Sequence, residues 1–270
     1  MSNTTIREAT AADYPTFAKL FPELGVKDSV PALERFVDDL LPTALVATWE
    51  GSVAGYAVSR QMKDTVHLSQ LVSAPEARRL GIGRALMAEV VRRARASGCS
   101  ILQLNVRPQN APAIALYESF GLARVHTNHG LRMDWTVLEA IEGDAVSLAG
   151  LVKALEPEDE EALEAAWRMP RGLLAEQRTR PKRVFRMLST GTERPALAVF
   201  DPGFPGASPL RAPDVKHALS LLRSFRPFAP SDPFLLIALE NQPDLVTALI
   251  NAGAVLHMET VLMRGALTKE

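Results

Sequence analysis

The chain has 270 residues, 47% of them hydrophobic and 23% charged, and a formal net charge of −1. That composition suits a globular protein with one large domain or two modest ones. The balanced charge excludes the global basic excess of a nucleic-acid binder or of a protein held to acidic membranes.

In chain order, the start MSNTTIREATAADY lacks the basic-then-apolar order of a secretory signal, and TIREAT (5–10) reads as an opening strand. AADYPTFAKLF and DSVPALERFVDDLL read as helices capped by Thr10 and Ser29, with Pro15 and Pro31 in their first turns. ALVATWE and SVAGYAVSRQ form a hairpin about Glu50-Gly51. TVHLSQLVS is a strand ending at Ala74-Pro75. A helix follows from Ile82 to Ser97, because Ile82, Leu86, Val90 and Ala94 recur at helical spacing. Arg92, Arg93 and Arg95 fall mostly outside that stripe, near the negative end of the helix dipole, and Gly98 ends the helix. Cys99, the single cysteine, forbids an internal disulfide, fits a reducing compartment and reads as a small buried hydrophobe. SILQLNV is a strand, Asn110 caps a helix running to Phe120, and LARVHTNHGLRMDW reads as a pair of strands with His126 and His129 facing solvent. EPEDEEALEAAWR and RGLLAEQRTRPKRVFRML are charge runs of the kind that usually line solvated faces and turns. The purest apolar run, FLLIAL (234–239), is far short of the ~20 residues a membrane helix needs. The protein is therefore read as cytoplasmic, with neither nucleic acid nor membrane among its partners.

A faint internal repeat links ILQLNVRPQNAPAIALYESFGLARV to FLLIALENQPDLVTALINAGAVLHM. Both run strand, Asn-x-Pro, apolar helix, glycine stop, strand, although caps and glycines cannot be aligned together.

The segment RRLGIGRALM (79–88) places two glycines where a strand and loop open a helix. Free N–H groups and the positive helix end make such a start a place for phosphate or pyrophosphate, and glycine lets the backbone approach a bulky anion. A nucleotide-binding P-loop requires Lys-Ser/Thr after its last glycine, and here Arg84-Ala85 follow Gly83. The dinucleotide fingerprint requires a third glycine, and Leu86 stands there. A lone Gly-x-Gly is equally the mark of a tight turn with no ligand.

LVSAPEARRLGIGRAL followed by NAPAIALYESFGL resembles the signature of the GNAT superfamily of acetyl-CoA-dependent N-acetyltransferases, over roughly residues 4–136. Arg78, Gly81 and Gly83 match its acyl-CoA loop. Asn110, Ala113, Tyr117 and Gly121 match its second motif, with Leu122 in place of phenylalanine. The resemblance implies an α/β (α+β) fold with a mixed, mostly antiparallel central sheet flanked by helices. It implies that backbone groups of Leu71, Val72 and Ser73 pair with the pantetheine arm. It further implies that the loop Arg79, Ile82, Arg84 and the two glycines hold the pyrophosphate, and that Asn110 faces the coenzyme while capping its helix. Tyr117 would protonate the departing thiolate. For the base that frees the amine, His67 is a candidate and Glu23 a weaker one. No spacing of His, Cys and carboxylates points to a metal site.

Residues 139–270 resemble a second, degenerate GNAT-like domain, placed after a catalytic domain at 1–138. It has no Arg-x-x-Gly-x-Gly before VKHALSLLRSF, and the place of Tyr117 falls to Ala248 or Leu249, which cannot donate a proton. Such a copy would wall one side of the acceptor cleft, with Trp167, Phe225 and Phe228 as possible lining or as ordinary packing. The reading is an acetyl-CoA-dependent N-acetyltransferase acting on a small-molecule or peptide amine, as a monomer or homodimer and without metal. Its rivals are a non-catalytic acyl-CoA-binding regulatory module and a transferase of longer acyl groups.

Overall fold

The computed structural model describes residues 4–26, 29–142, 148–191, 194–229 and 231–267. Its contacts divide the chain into two units. Unit 1 takes Met1–Asn105, Asn110–Arg124 and Met263–Glu270, and unit 2 takes Val106–Gln109 and Val125–Leu262.

In unit 1, β1 (Thr4–Glu8), β2 (Ala44–Trp49), β3 (Ser52–Gln61) and β4 (Thr65–Ser73) form an antiparallel run, and β5 (Ile101–Val106) lies parallel to β4. Glu50 and Gly51 both have positive φ, 49° and 79°, as a two-residue hairpin turn of type I′ requires. Beyond β5 lies the last part of β12 (Val255–Ala266), from Met263 onward. The Leu267 amide donates to the Ser100 carbonyl there at 2.8 Å.

Adjacent strand residues point to opposite faces, and in β3 Gly55 and Tyr56 divide the two faces of the sheet. Tyr56 meets an aromatic cluster from α1 (Tyr14–Leu20) and α2 (Leu33–Arg35, continuing as a π-helical turn Phe36–Leu40). The Phe17 ring lies 4.9 Å from Tyr56 and 4.7 Å from Phe36. Gly55 meets α3 (Ile82–Ala96), whose Ile82, Leu86, Val90 and Ala94 stripe is buried as its spacing requires. Each such large side chain, fully buried, contributes about 1.5–3 kcal/mol.

Three local expectations are corrected. α2 starts at Leu33 with Ala32 as its cap, not at Ser29, and the Pro31 carbonyl accepts the Tyr14 hydroxyl at 3.1 Å. The segment read as a strand pair is one strand, β6 (Ala123–Asp134), after α4 (Ala111–Glu118). Gly130 makes no turn, since it pairs within a continuous ladder to Ala238. His126 and His129 lie on that strand half-buried, not on a solvent-facing hairpin.

Unit 2 follows with α5 (Trp135–Ala140), β7 (Val152–Ala154), α6 (Glu160–Ala166), α7 (Leu173–Arg178), β8 (Val184–Leu188), β9 (Ala196–Asp201), β10 (Gly206–Arg211), α8 (Val215–Arg223), β11 (Phe234–Glu240) and α9 (Pro243–Asn251). Its strands are ordered β12-β6-β11-β10-β9-β8-β7. The ladders from β6 to β7 are antiparallel except β10 with β11. Phe225 is fully buried and stacks on Phe200 at 4.9 Å, so it is core. The acidic run is not a solvated face throughout. Glu164 is buried and accepts from the amides of Gly172 and Leu174 at 2.6 and 2.8 Å, which fixes the entry of α7.

Candidate functional site

β4 and β5 pair from Thr65↔Ile101 to Leu68↔Leu104 and no further. The ladder of β4 with β3 continues to Gly55↔Ser73. The change coincides with a β-bulge. Val58 pairs with Gln70 and Ser59 with Leu68, leaving Ser69 unmatched, with its hydroxyl accepting from Arg60 Nε at 3.0 Å. A bulge bends and re-aims its strand. Leu71, Val72 and Ser73 therefore have β3 on one side and, among the described residues, no strand on the other.

The loop after β4 climbs through a 3₁₀ turn, Pro75–Ala77, to Gly81, which caps α3 in the left-handed region at φ 85°. Arg79 also has positive φ, 65°, a costly state for a side-chain-bearing residue. The first α-helical bond recorded from this end runs from Ala85 N–H to the Gly81 carbonyl. Among the described residues no side chain accepts from the amides of Gly81, Ile82, Gly83 or Arg84, so they carry the donor capacity and positive partial charge of a bare helix start. At Gly83 a Cβ would meet Leu116 Cδ2 at 3.5 Å and Ser73 Oγ at 3.6 Å. The end of β4, the start of α3 and the face of α4 beside Tyr117 therefore converge on one glycine.

The three arginines divide. Arg78 forms an ion pair with Glu23, so the carboxylate considered as a base is engaged. Arg84 lies 5.7 Å from the Phe120 ring and ties α3 to the end of α4. Arg79 is exposed and, among the described residues, has no ion-pair partner.

Asn110 caps α4, its Oδ1 accepting from Ala113 N–H at 3.3 Å. The structure thus gives it the capping role. Tyr117 lies in the last turn of α4 and is 7% exposed. Burial pushes its phenol up to about 12, and among the described residues no group hydrogen-bonds its hydroxyl. It is a protonated donor without an internal acceptor.

His67 is buried on β4 just before the bulge. Arg264 donates to Gln103 Oε1 at 3.1 and 2.9 Å, and a guanidinium can only donate. That orientation leaves Gln103 Nε2 to donate to His67 Nδ1 at 3.4 Å, which assigns the ring proton to Nε2. No sequence signal announced Gln103 or Arg264, because the contact joins positions far apart in the chain. Gly55 was missed as well. A Cβ there would meet the Val72 carbonyl at 2.5 Å and Ile82 Cγ2 at 2.8 Å, so only glycine lets α3 sit this close to β4.

Unit 2 repeats the arrangement with a different filling. β10 pairs with β9 across a register shift between Ala207 and Leu210, and its parallel ladder to β11 ends at Ala207↔Ile237. α8 then starts at Asp214, whose side chain caps it, with no glycine. Gln242 holds the N-cap of α9, the place of Asn110, but makes no cap. Its amide bonds Leu210 O and Ala212 N instead. Ala248 and Leu249 lie in α9, Leu249 fully buried. Trp167 donates to the Pro195 carbonyl at 2.8 Å, and Phe228 is partly exposed beneath Arg186.

Among the described residues no group of three or more His, Cys, Asp or Glu could hold a metal ion, and no helix is long and apolar enough to cross a membrane.

Residues 6–122 match the family model described as Acetyltransferase (GNAT) family. The chain is 38% identical over 74 residues to the [Ribosomal protein bS18]-alanine N-acetyltransferase of Escherichia coli (strain K12), an alignment covering 27% of this chain and 50% of that one. The chain thus spans about half the length of the curated relatives it matches. Among solved structures, a GCN5-related N-acetyltransferase from Sphaerobacter thermophilus is 18% identical with a TM-score of 0.65, covering 99% of this chain and 96% of the other. A tandem GNAT protein from the clavulanic acid biosynthesis pathway is 16% identical with a TM-score of 0.61, covering 99% of each chain.

Proposed function

Residues 6–122 place the chain in the acetyltransferase (GNAT) family and its fold is that of a tandem GNAT protein, and from that premise we propose that it transfers an acetyl group from acetyl-CoA to a primary amine of a small molecule or peptide. The observation that carries the reading is the convergence at Gly83: unpartnered helix amides, a free strand edge and Leu116 of α4, the residue next to Tyr117.

Acetyl-CoA supplies an activated thioester. The chain's residues bind, aim and exchange protons around it. Amides from Arg79 to Arg84, Gly81, Ile82 and Gly83 among them, hold the pyrophosphate at the positive end of α3, with Arg78 and Arg79 at the rim. Leu71, Val72 and Ser73 offer backbone groups to the pantetheine amides as a strand would. Asn110 acts through the cap that fixes α4. Tyr117 gives its proton to the sulfur as the amine attacks, a role in which a placed donor contributes about 10²–10⁴-fold. The amine loses its own proton to solvent. Gln103 already occupies the Nδ1 lone pair of His67 and Arg78 engages Glu23, which leaves neither side chain free as base.

In this reading the catalytic domain is 1–138 together with the strand end at Met263–Leu267, and the remainder, to 270, is a GNAT-like copy that binds no coenzyme. The bS18-alanine relatives make peptides with an N-terminal alanine the first acceptors to try. The test is thiol release by the full chain from acetyl-CoA and from succinyl-CoA, over alanine-starting peptides, lysine peptides and small amines. Turnover on one amine class supports the proposal. Tight coenzyme binding with no turnover on any amine supports the non-catalytic module instead.

A further inference from the structure

Outside the glycine loop, unit 2 holds a second cluster of reactive side chains. Asp214 Oδ1 lies 2.8 Å from His217 Nδ1, and His217 Nε2 lies 3.0 Å from Thr190 Oγ1. The imidazole is 5% exposed, while Thr190 is on the surface beside Gly191. Burial opposes charge on Asp214, but bonds from the His217 amide and ring outweigh it and hold its pKa below the usual carboxylate value. An ionised carboxylate only accepts, so Nδ1 carries the proton that faces it. The Nε2 lone pair is then left for the Thr190 hydroxyl, which must donate. Nucleophile, base and orienting carboxylate stand at hydrogen-bond distance in that order.

Capping explains only part of this. As N-cap of α8, Asp214 accepts from the His217 amide at 3.0 Å, and any N-cap aspartate does the same without a histidine ring at its side. The contact of the ring with a hydroxyl from the loop after β8 has no part in the cap. Two other exposed hydroxyls of unit 2 give the comparison. Thr179 and Thr247 donate to the Glu176 and Pro243 carbonyls, at 2.7 and 3.1 Å, and have no base beside them.

We propose that Thr190 is a nucleophile activated by His217 and Asp214, and that it accepts acyl groups from activated esters. Thr190 Oγ forms a bond to the carbonyl carbon and the bond from that carbon to the leaving oxygen breaks. The threonine proton passes to His217 Nε2 and then to the departing oxygen, and Asp214 stabilises the imidazolium between the two transfers. The product is an acyl ester on Thr190. The proposal does not depend on the coenzyme reading.

The test is to treat the full chain with p-nitrophenyl acetate at neutral pH and follow site-resolved acetylation by peptide mass spectrometry. Thr190 is expected to acylate about 10²-fold faster than Thr179 or Thr247, the scale of a positioned base. Thr190→Val abolishes the label, and His217→Gln slows it to the rate of the control threonines. Asp214→Asn keeps a good capping acceptor and so separates fold from chemistry. It should slow labelling at least tenfold with the melting midpoint retained. Labelling of Thr190 no faster than the controls, or a rate unchanged in Asp214→Asn, overturns the proposal.

Discussion

Gln242 Nε2 donates to the Leu210 carbonyl at 2.9 Å, and the same amide accepts from Ala212 N–H at 3.3 Å. A side chain thereby does along the edge of β10 what a pairing strand would do, past the point where β11 stops pairing with it. Unit 2 has satisfied this edge internally and lacks glycines at the start of α8. Calorimetric titration of the full chain with CoA is therefore expected to give one site per chain, and a second site of similar affinity would contradict it. Gln242→Ala leaves a buried amide short of an acceptor and should cost about 1–2 kcal/mol of stability, read from denaturant unfolding.

Tyr117 is buried at the end of α4, and desolvation holds its phenol near 12. A group whose pKa is raised keeps its proton up to that value. The donor form is then fully present from pH 6 to 10, and Tyr117 contributes no alkaline fall of kcat below about pH 11. Tyr117→Phe is expected to lower kcat by about 10²-fold or more while the KM for acetyl-CoA moves little. An unchanged kcat would remove Tyr117 as the acid.

What the sequence made legible is local. The stripe Ile82, Leu86, Val90, Ala94, whose successive members are about one helix turn apart, the glycines before it and the Asn110 cap are all read from near neighbours in the chain, and the structure has all three. What stayed hidden depends on partners distant in the chain. The bulge at Ser69 carries no glycine or proline, and only the register against β3 reveals it. Gly130 resembles a turn glycine but lies inside a ladder with β11, so tertiary pairing overrides local preference. Glu164 looks like one more charge on an acidic face until the amides of Gly172 and Leu174 are placed beside it.

Gly55 controls how closely α3 approaches β4. An added methyl would lie 2.5 Å from the Val72 carbonyl, a backbone atom that cannot rotate away. Gly55→Ala should cost about 1–3 kcal/mol as an overpacking change. Because the shift falls on the strand edge and helix start of the candidate site, coenzyme affinity should fall with it. Isothermal titration of the folded variant checks this, and wild-type affinity would show that the spacing does not matter.

Arg264 belongs to β12 yet works in unit 1, where it holds Gln103 Oε1 while Gly265 lies against the Gly121 carbonyl. Unit 1 accordingly includes, beyond residues 6–122, the strand end that begins at Met263. Ending the chain at 262 should destabilise unit 1 and abolish coenzyme binding, and Arg264→Ala should cost about 1–3 kcal/mol by leaving a buried amide oxygen unpaired. Thermal unfolding followed with and without CoA measures both, and a truncated chain that keeps its coenzyme-dependent stabilisation would refute the dependence.

Acid should weaken unit 1 through two carboxylates. The Arg7 guanidinium bonds Asp13 at 2.7 Å through both oxygens and, against an opposing burial cost, holds its pKa down to about 2. Arg92, followed by Arg93, does the same for Glu89, also to about 2. Both folded values lie below the unfolded ones, about 3.9 and 4.3. Their stabilisation is complete above about pH 5 and is lost as pH falls toward 2. Screening at the half-exposed Arg7 limits the Asp13 share to about 1 kcal/mol or less. Arg7→Met should therefore be less stable than the parent at pH 7, with the gap narrowing as pH falls below about 4 and closing only as it passes through about 2 in denaturant unfolding. A gap independent of pH would assign the effect of Arg7 to packing of its aliphatic stem and not to its charge.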